Sequence, residues 1–274
     1  MAKRAKSWTI WLLGAALLAL AGCYTVPETG RQSVIMVSPT EEATAGAAAF
    51  ADVKSKEKIS TDSAANERVR RVGQRIATAV GSALPSAQWE FVVFDAPDTV
   101  NAFALPGGKV GVYTGLLRLA ASDDELAIVM GHEIGHVTAR HGAERMTQAQ
   151  LANGLGALGD AATQNTQYHD ILLQAYGLSS NLAILHYSRS QESEADHIGI
   201  RYAAKAGYDP RAAITFWEKM AKQKGNASTL KWLSTHPPDD QRIADLQRLM
   251  PEAMQLYDAA RGIKPATADR PIGL

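Results

Sequence analysis

The chain has 274 residues, 46% of them hydrophobic, enough to bury a substantial core in one or two domains. Its 28 basic residues are balanced by 28 acidic ones, so composition offers no electrostatic case for nucleic acid as a partner. The single cysteine, Cys23, excludes an intramolecular disulfide.

Lys3, Arg4 and Lys6 form a basic start, followed by an apolar run from Trp8 to Leu20 that is short for a membrane span. Leu20-Ala21-Gly22-Cys23 then places small residues directly before the cysteine. This order resembles the lipobox of bacterial lipoproteins. It implies that residues 1–22 are a lipoprotein signal peptide and that Cys23 is lipidated, holding the mature chain to a membrane. Tyr24, rather than an aspartate, follows the cysteine. By resemblance to lipoprotein sorting, the expected location is the bacterial cell envelope, on the inner leaflet of the outer membrane facing the periplasm. Without its first 22 residues the chain keeps 25 basic and 28 acidic residues and is mildly acidic. Residues 23–40 contain Pro27, Gly30 and Pro39 and read as a lipidated tether, in which the apolar run Ser33 to Val37 could dock as an edge strand.

Residues 41–261 are expected to form the folded domain, and 262–274 a loose tail. From Glu41 to Gly81 the composition is Ala-rich and charged, with Val69, Val72, Ile76 and Val80 at helical spacing. Gln88 to Asp95 alternates as a strand, Thr99 to Leu105 reads as a second, and the Pro106-Gly107-Gly108 turn leads into a third, Lys109 to Tyr113. These three predict a small antiparallel sheet.

Ser122-Asp123-Asp124-Glu125 is a capping box with acids in the first turn, and it opens a helix of about 20 residues. Leu126, Val129, Met130, Ile134 and Val137 predict one buried stripe, and Arg140, His141 and Gly142 a cationic last turn with a glycine stop. Residues 143–181 read as helical hairpins interrupted by Gly154, Gly156 and Gly159. Further helices are expected over 182–206, 210–224, and from Pro237 to before Pro251.

The helix from Asp123 carries His132-Glu133-Ile134-Gly135-His136. Two histidines four residues apart share a helix face, and the glutamate between them reaches a water on a metal that they hold. A hydrolytic zinc needs three protein ligands and an open position. A third histidine in the metzincin manner would require Gly at 139 and His at 142, where the chain has Ala139 and Gly142. The remaining common solution is a glutamate from another helix, with Glu144, Glu192 and Glu194 as candidates. Glu192 is favoured, because Asp196 follows one turn later on the same face and could fix a zinc histidine through its outer ring nitrogen. Glu194 is predicted to point the opposite way. His141, His169, His186 and His197 lack partners at useful spacing and read as helix-surface residues. Arg189, three residues before Glu192, reads either as steadying that carboxylate or as a solvated charge.

His132-Glu133-x-x-His136 followed by Glu192-Ser193-Glu194-Ala195-Asp196 resembles the motif pair of peptidase family M48. Asn101-Ala102-Phe103-Ala104-Leu105-Pro106, Tyr113-Thr114-Gly115-Leu116 and Ser234-Thr235-His236-Pro237 agree with it, and the likeness covers roughly Asp52 to Leu249. With its lipobox, the chain is most similar to the lipid-anchored periplasmic members. The resemblance implies an α+β, mostly helical gluzincin-type metallopeptidase domain with a small sheet beside the active-site helix. It implies one zinc ion per chain on His132, His136 and Glu192, with Asp196 behind them and Glu133 as general base.

Asn101, Ala102, Phe103 and Ala104 would offer a strand edge to an extended peptide substrate. His236 is expected either to stabilise the tetrahedral oxyanion or to swing in as a fourth zinc ligand and close the site. The implied partners are unfolded or misassembled envelope proteins, the membrane through Cys23, and an assembly machinery. The function expected is an endopeptidase of protein quality control. The alternative is a lipid-anchored chaperone or assembly factor using the same groove with a quiet zinc site.

Overall fold

The computed structural model of the chain describes residues 23–152, 187–222, 236 and 240–263. The segment expected to be a signal peptide, most of the stretch 143–181, residues 234, 235 and 237 of the Ser-Thr-His-Pro stretch, and the tail from 264 onward lie outside the described residues. The architecture is α+β and mostly helical, with a small sheet packed beside the helix that carries the His-Glu-x-x-His motif. Among the described residues no helix is long and apolar enough to cross a membrane.

The N-terminal segment is packed on the domain instead of leading loosely up to it. Strands β1 (Cys23–Thr25) and β2 (Gln32–Val34) form an antiparallel hairpin with Cys23 opposite Val34. Val26, Ile35 and Val37 are buried in the main core, and the Tyr24 hydroxyl donates to the Thr138 carbonyl at 2.8 Å. Burial of these alternating apolar residues outweighs the freedom suggested by Pro27, Gly30 and Pro39. The apolar run after Gly30 docks, as its composition suggested, with the Met36 N–H donating to Thr147 Oγ1 at 3.0 Å.

Helix α1 (Pro39–Lys56) starts at Ser38, whose side chain and that of Glu41 complete a reciprocal capping box. A break at 57–62 precedes α2 (Ser63–Val80), which Asp62 caps through the N–H groups of Ala64 and Ala65. Val69, Val72, Ile76 and Val80 face inward, as their spacing predicts.

The sheet is mixed where a wholly antiparallel one was expected. Strands β3 (Glu90–Phe94), β4 (Ala102–Leu105) and β5 (Lys109–Tyr113) are arranged β3-β5-β4. β5 is therefore central, antiparallel to β4 but parallel to β3. The turn between β4 and β5 follows from its glycines, since Gly107 and Gly108 sit at φ +82° and +84°, where a side chain would be strained. Residues 95–101 carry the chain across the sheet end instead of turning it back on β3. Phe94 and Phe103 pack on Phe50 and Tyr113 packs on both of them, with ring centroids 5.3 to 6.5 Å apart.

Beyond the short α3 (Thr114–Leu119), α4 (Asp123–Thr138) carries the motif. Ser122 Oγ accepts from the Glu125 N–H at 3.1 Å, while the Glu125 carboxylate takes the Ala121 N–H and pairs with Lys219. Only one half of the predicted capping box forms, because Glu125 is drawn to that lysine. Every residue from Glu125 to Thr138 is buried. The expected single apolar stripe is corrected to burial on all sides, since β4, α2 and two later helices enclose α4. The helix ends at Thr138, short of the glycine stop. Arg140 takes a left-handed φ of +56° and His141 begins α5 (His141–Ala152). The Arg140 guanidinium offsets that strain by holding Glu42 and the Val37 carbonyl, each at 2.6 Å.

Helix α6 (Arg189–Lys205) starts at Ser188 with a Gln191 capping box, later than its apolar pattern suggested. α7 (Ala212–Lys222) follows Asp209, and α8 (Asp240–Ala260) runs on through Pro251. That proline is exposed, so the carbonyl deprived of its partner can turn to water.

α4 and α6 cross at near-backbone contact. A Cβ on Gly199 would lie 2.6 Å from the His132 nitrogen, one on Gly131 2.6 Å from the Gly199 carbonyl oxygen, and one on Gly135 3.0 Å from that of Ala195. Gly199→Ala is therefore expected to force the helices apart, costing about 1–3 kcal/mol as an overpacked core and lowering zinc uptake. Thermal melting of the metal-free protein beside zinc analysis checks this; wild-type values for both would show that the crossing tolerates a methyl group.

Candidate metal centre

The close crossing brings the motif histidines of α4 against the first turns of α6. His132, His136, Glu192 and His236 each present one ligand atom, all within 4.8 Å of one another, and all four residues are buried. His132 Nε2 lies 3.1 Å from His136 Nε2 and 3.2 Å from His236 Nδ1. The Glu192 carboxylate reaches His236 Nδ1 at 2.8 Å, His136 Nε2 at 3.3 Å and His132 Nε2 at 3.6 Å. Three of these four are the ligands that the sequence nominated, and the choice of Glu192 over Glu144 and Glu194 is the one that the geometry favours.

The outer ring nitrogens decide which protons are where. His132 Nδ1 lies 2.9 Å from Asp196 Oδ1, so its N–H points at the carboxylate and its Nε2 lone pair points into the cluster. His136 Nδ1 lies 2.8 Å from His141 Nδ1, and His141 Nε2 lies 2.8 Å from Glu194 Oε2. With the Nε2–H of His141 donated to Glu194, its Nδ1 is the acceptor for the N–H of His136. Two imidazole lone pairs thus face each other beside a buried carboxylate, an arrangement that a shared cation would resolve. Imidazole nitrogens and one carboxylate oxygen are the donor types zinc takes.

Charge is compensated from α8. Arg242 pairs with Asp196 through Nε at 2.6 Å and Nη2 at 2.8 Å, and with Glu192 through Nη1 at 2.7 Å. Its guanidinium lies 3.7 Å from the ring centre of Trp217 on α7. Burial by itself would raise the Glu192 pKa, but His236 and Arg242 hold it well below the carboxylate range. Burial would likewise lower that of His236, yet Glu192 and Glu133 outweigh it and leave the group raised. His136 is pushed well down, first by burial.

Several expectations are revised. His141 is fully buried, not a surface residue; it begins α5 directly behind His136, a position that helical spacing from His132 cannot reveal because Arg140 breaks the helix. Glu194 turns away from the donor cluster and is buried there, bonded to His141. Its pKa, which burial would raise, is brought down to about 2 by bonds from His141, Thr29 and Arg31. His197 is only half-buried, while His169 and His186 lie outside the described residues. Arg189 is exposed, and the guanidinium on Glu192 is that of Arg242. Sequence reading missed Arg242 because the fold brings it in from about 50 residues downstream of Glu192, with no motif marking it.

Glu133 stands beside the cluster without belonging to it, with Oε1 3.6 Å from His236 Nε2. Asn101, Ala102, Phe103 and Ala104 are all buried, packed on α4, and β4 is the terminal strand of its sheet. Their side chains therefore belong to the core, and only the outer backbone edge of β4 is placed to meet a peptide.

Residues 63–250, well over half of the chain, match the model of peptidase family M48. The mitochondrial metalloendopeptidase OMA1 of Arabidopsis thaliana is 39% identical over 225 residues, covering 81% of this chain and 44% of that protein. Its namesake in Saccharomyces cerevisiae is 34% identical over 183 residues, covering 65% and 51%. The beta-barrel assembly-enhancing protease of Escherichia coli is 30% identical over 227 residues, covering 81% and 46%. The chain spans about half the length of these relatives. They also correct the expected outer-membrane lipoprotein location, since the OMA1 proteins are mitochondrial. A match that takes in α4, α6 and the first half of α8 up to Met250, with the donor set intact, shows that this chain belongs to the zinc metallopeptidases of peptidase family M48.

Proposed function

We propose that the chain is a zinc-dependent endopeptidase that hydrolyses peptide bonds in unfolded or misassembled proteins. The observation that carries this is Glu133, a buried carboxylate fixed beside the donor cluster but outside it. A protein that only held metal or client chains would have no use for it there. His132, His136 and Glu192 would hold the zinc, which supplies Lewis-acid polarisation of a carbonyl and acidifies water. Glu133 then takes a proton from the attacking water and returns it to the departing amine. Asp196 and His141 keep the two histidines in the tautomers that leave Nε2 free to bind.

An extended substrate lying along the outer edge of β4 would be bound through its backbone with few side chains read, which suits unfolded chains. The name of the E. coli relative, an assembly-enhancing protease, supports quality control as the setting.

His236 places Nδ1 among the ligand atoms and Nε2 towards Glu133. Of its two expected roles, this position favours that of a fourth ligand that closes the site and must withdraw for substrate to enter.

Glu133→Gln is expected to keep about one zinc per chain while cleavage of unfolded casein falls by about 100-fold or more. Equal cleavage by variant and wild type would remove Glu133 from its assigned role. His236→Ala is expected to keep zinc on the three remaining ligands and to cleave casein faster than wild type by several-fold, on the order of a 1 kcal/mol release of the closed state. A drop in cleavage with zinc retained would instead assign His236 to the oxyanion.

A further inference from the structure

The two zinc histidines are supported from opposite ends of the chain. His132 leans on Asp196, which the buried Arg242 of α8 grips with two bonds. His136 leans on His141 and through it on Glu194, and the far side of Glu194 is held by the N-terminal hairpin. There Arg31 Nε donates to Glu194 Oε2 at 2.6 Å, and the Thr29 hydroxyl donates to Oε1. The rest of the Arg31 guanidinium forms a parallel pair of 3.0 Å bonds with Glu144 of α5. Asp196 and Glu194 are two residues apart on α6, so each faces a different neighbour, and each carries one histidine.

We propose that Arg31, aided by Thr29, is a positioning residue for the metal centre, and that docking of the hairpin at 23–37 sets how firmly His136 binds zinc. The geometry states the reason. An imidazole donates from Nδ1 to a second imidazole only if the latter turns its own lone pair inward and gives its N–H to an acceptor. Glu194 is that acceptor. A carboxylate between Arg31, Thr29 and His141 has its two oxygens committed to fixed directions. Without Arg31 and Thr29 it can rotate, and His141 loses the partner that selects its tautomer. His136 would then be free to turn its ring away from the Nε2-inward orientation.

The two supports are not equivalent. The Arg242 side chain is 4% exposed and that of Arg31 31% exposed, so the hairpin support is the one open to solvent and to whatever acts on the N-terminal segment.

This inference rests on the zinc reading above, so the test separates the two. The full chain, purified in detergent, is titrated with zinc against a chromophoric chelator, and cobalt is substituted to read its visible absorption. Arg31→Ala is expected to weaken zinc binding about 10-fold or more and to shift the cobalt bands. His141→Phe is expected to weaken it at least as much, and the double variant to be no worse than His141→Phe, because both act along one chain of contacts.

Wild-type zinc affinity in Arg31→Ala, or losses that add in the double variant, would overturn the proposal. So would a lowered melting temperature of the metal-free protein with an unchanged cobalt spectrum, which is what a merely stabilising hairpin predicts. If Arg31→Ala does not fold, Thr29→Val removes a single hydroxyl and must show a several-fold loss that is likewise absent on top of His141→Phe; no loss refutes the proposal. A wild type that takes up no zinc, or a His132→Ala variant that binds it normally, would overturn the zinc assignment and this inference with it.

Discussion

Everything at the metal centre depends on how closely α4 can approach α6. Glycines at 131 and 199 let the two backbones meet with no side chain between them. At that separation His132 and His136 reach Glu192, and the outer nitrogen of His132 reaches Asp196. A single methyl group at the crossing lies inside van der Waals distance of the backbone that carries the ligand His132. Packing and chemistry are thus one constraint: the residues flanking the ligands are small because the ligands must converge.

The second requirement is electrostatic. Three carboxylates of the centre, Glu133, Glu192 and Asp196, are buried, and an unpaired buried charge is costly. Arg242 answers two of them at once and is itself sandwiched against Trp217. The hairpin answers Glu194 from the other side. Elements distant in sequence, residues 23–37 and α8, therefore supply the positive charge that pairs with the carboxylates of α6 at the site. The active-site helix is buried on every side because β4, α2, α6 and α7 enclose it.

Much of this was legible in the sequence. The pairing of His132 with His136 and of Glu192 with Asp196 follows from helical spacing, because residues three to four apart share a face whatever surrounds the helix. Ser122 as a cap and the Pro106-Gly107-Gly108 turn follow from local backbone chemistry in the same way. His141 was misjudged, and the role of Glu194 went unseen, for a common reason. Both depend on the left-handed turn at Arg140 and on contacts of the hairpin that spacing rules do not show. The order of the sheet was also out of reach, since three short strands with similar composition carry no signal for which one lies in the middle.

The amino-acid sequence by itself determined what the protein can do: a helix with two imidazoles and a carboxylate in a zinc-hydrolase pattern, and a second helix with the acids to complete it. These are local facts, set by a period of 3.6 residues and by side-chain chemistry. Only the tertiary structure decided which groups hold that chemistry in place. Arg242, His141, Glu194 and Arg31 act through contacts across tens to more than a hundred residues, and such contacts exist only once burial has brought the hairpin and α8 against α4 and α6. His236 shows the division at one residue: its presence was readable, and only packing brought its ring against His132, His136 and Glu192.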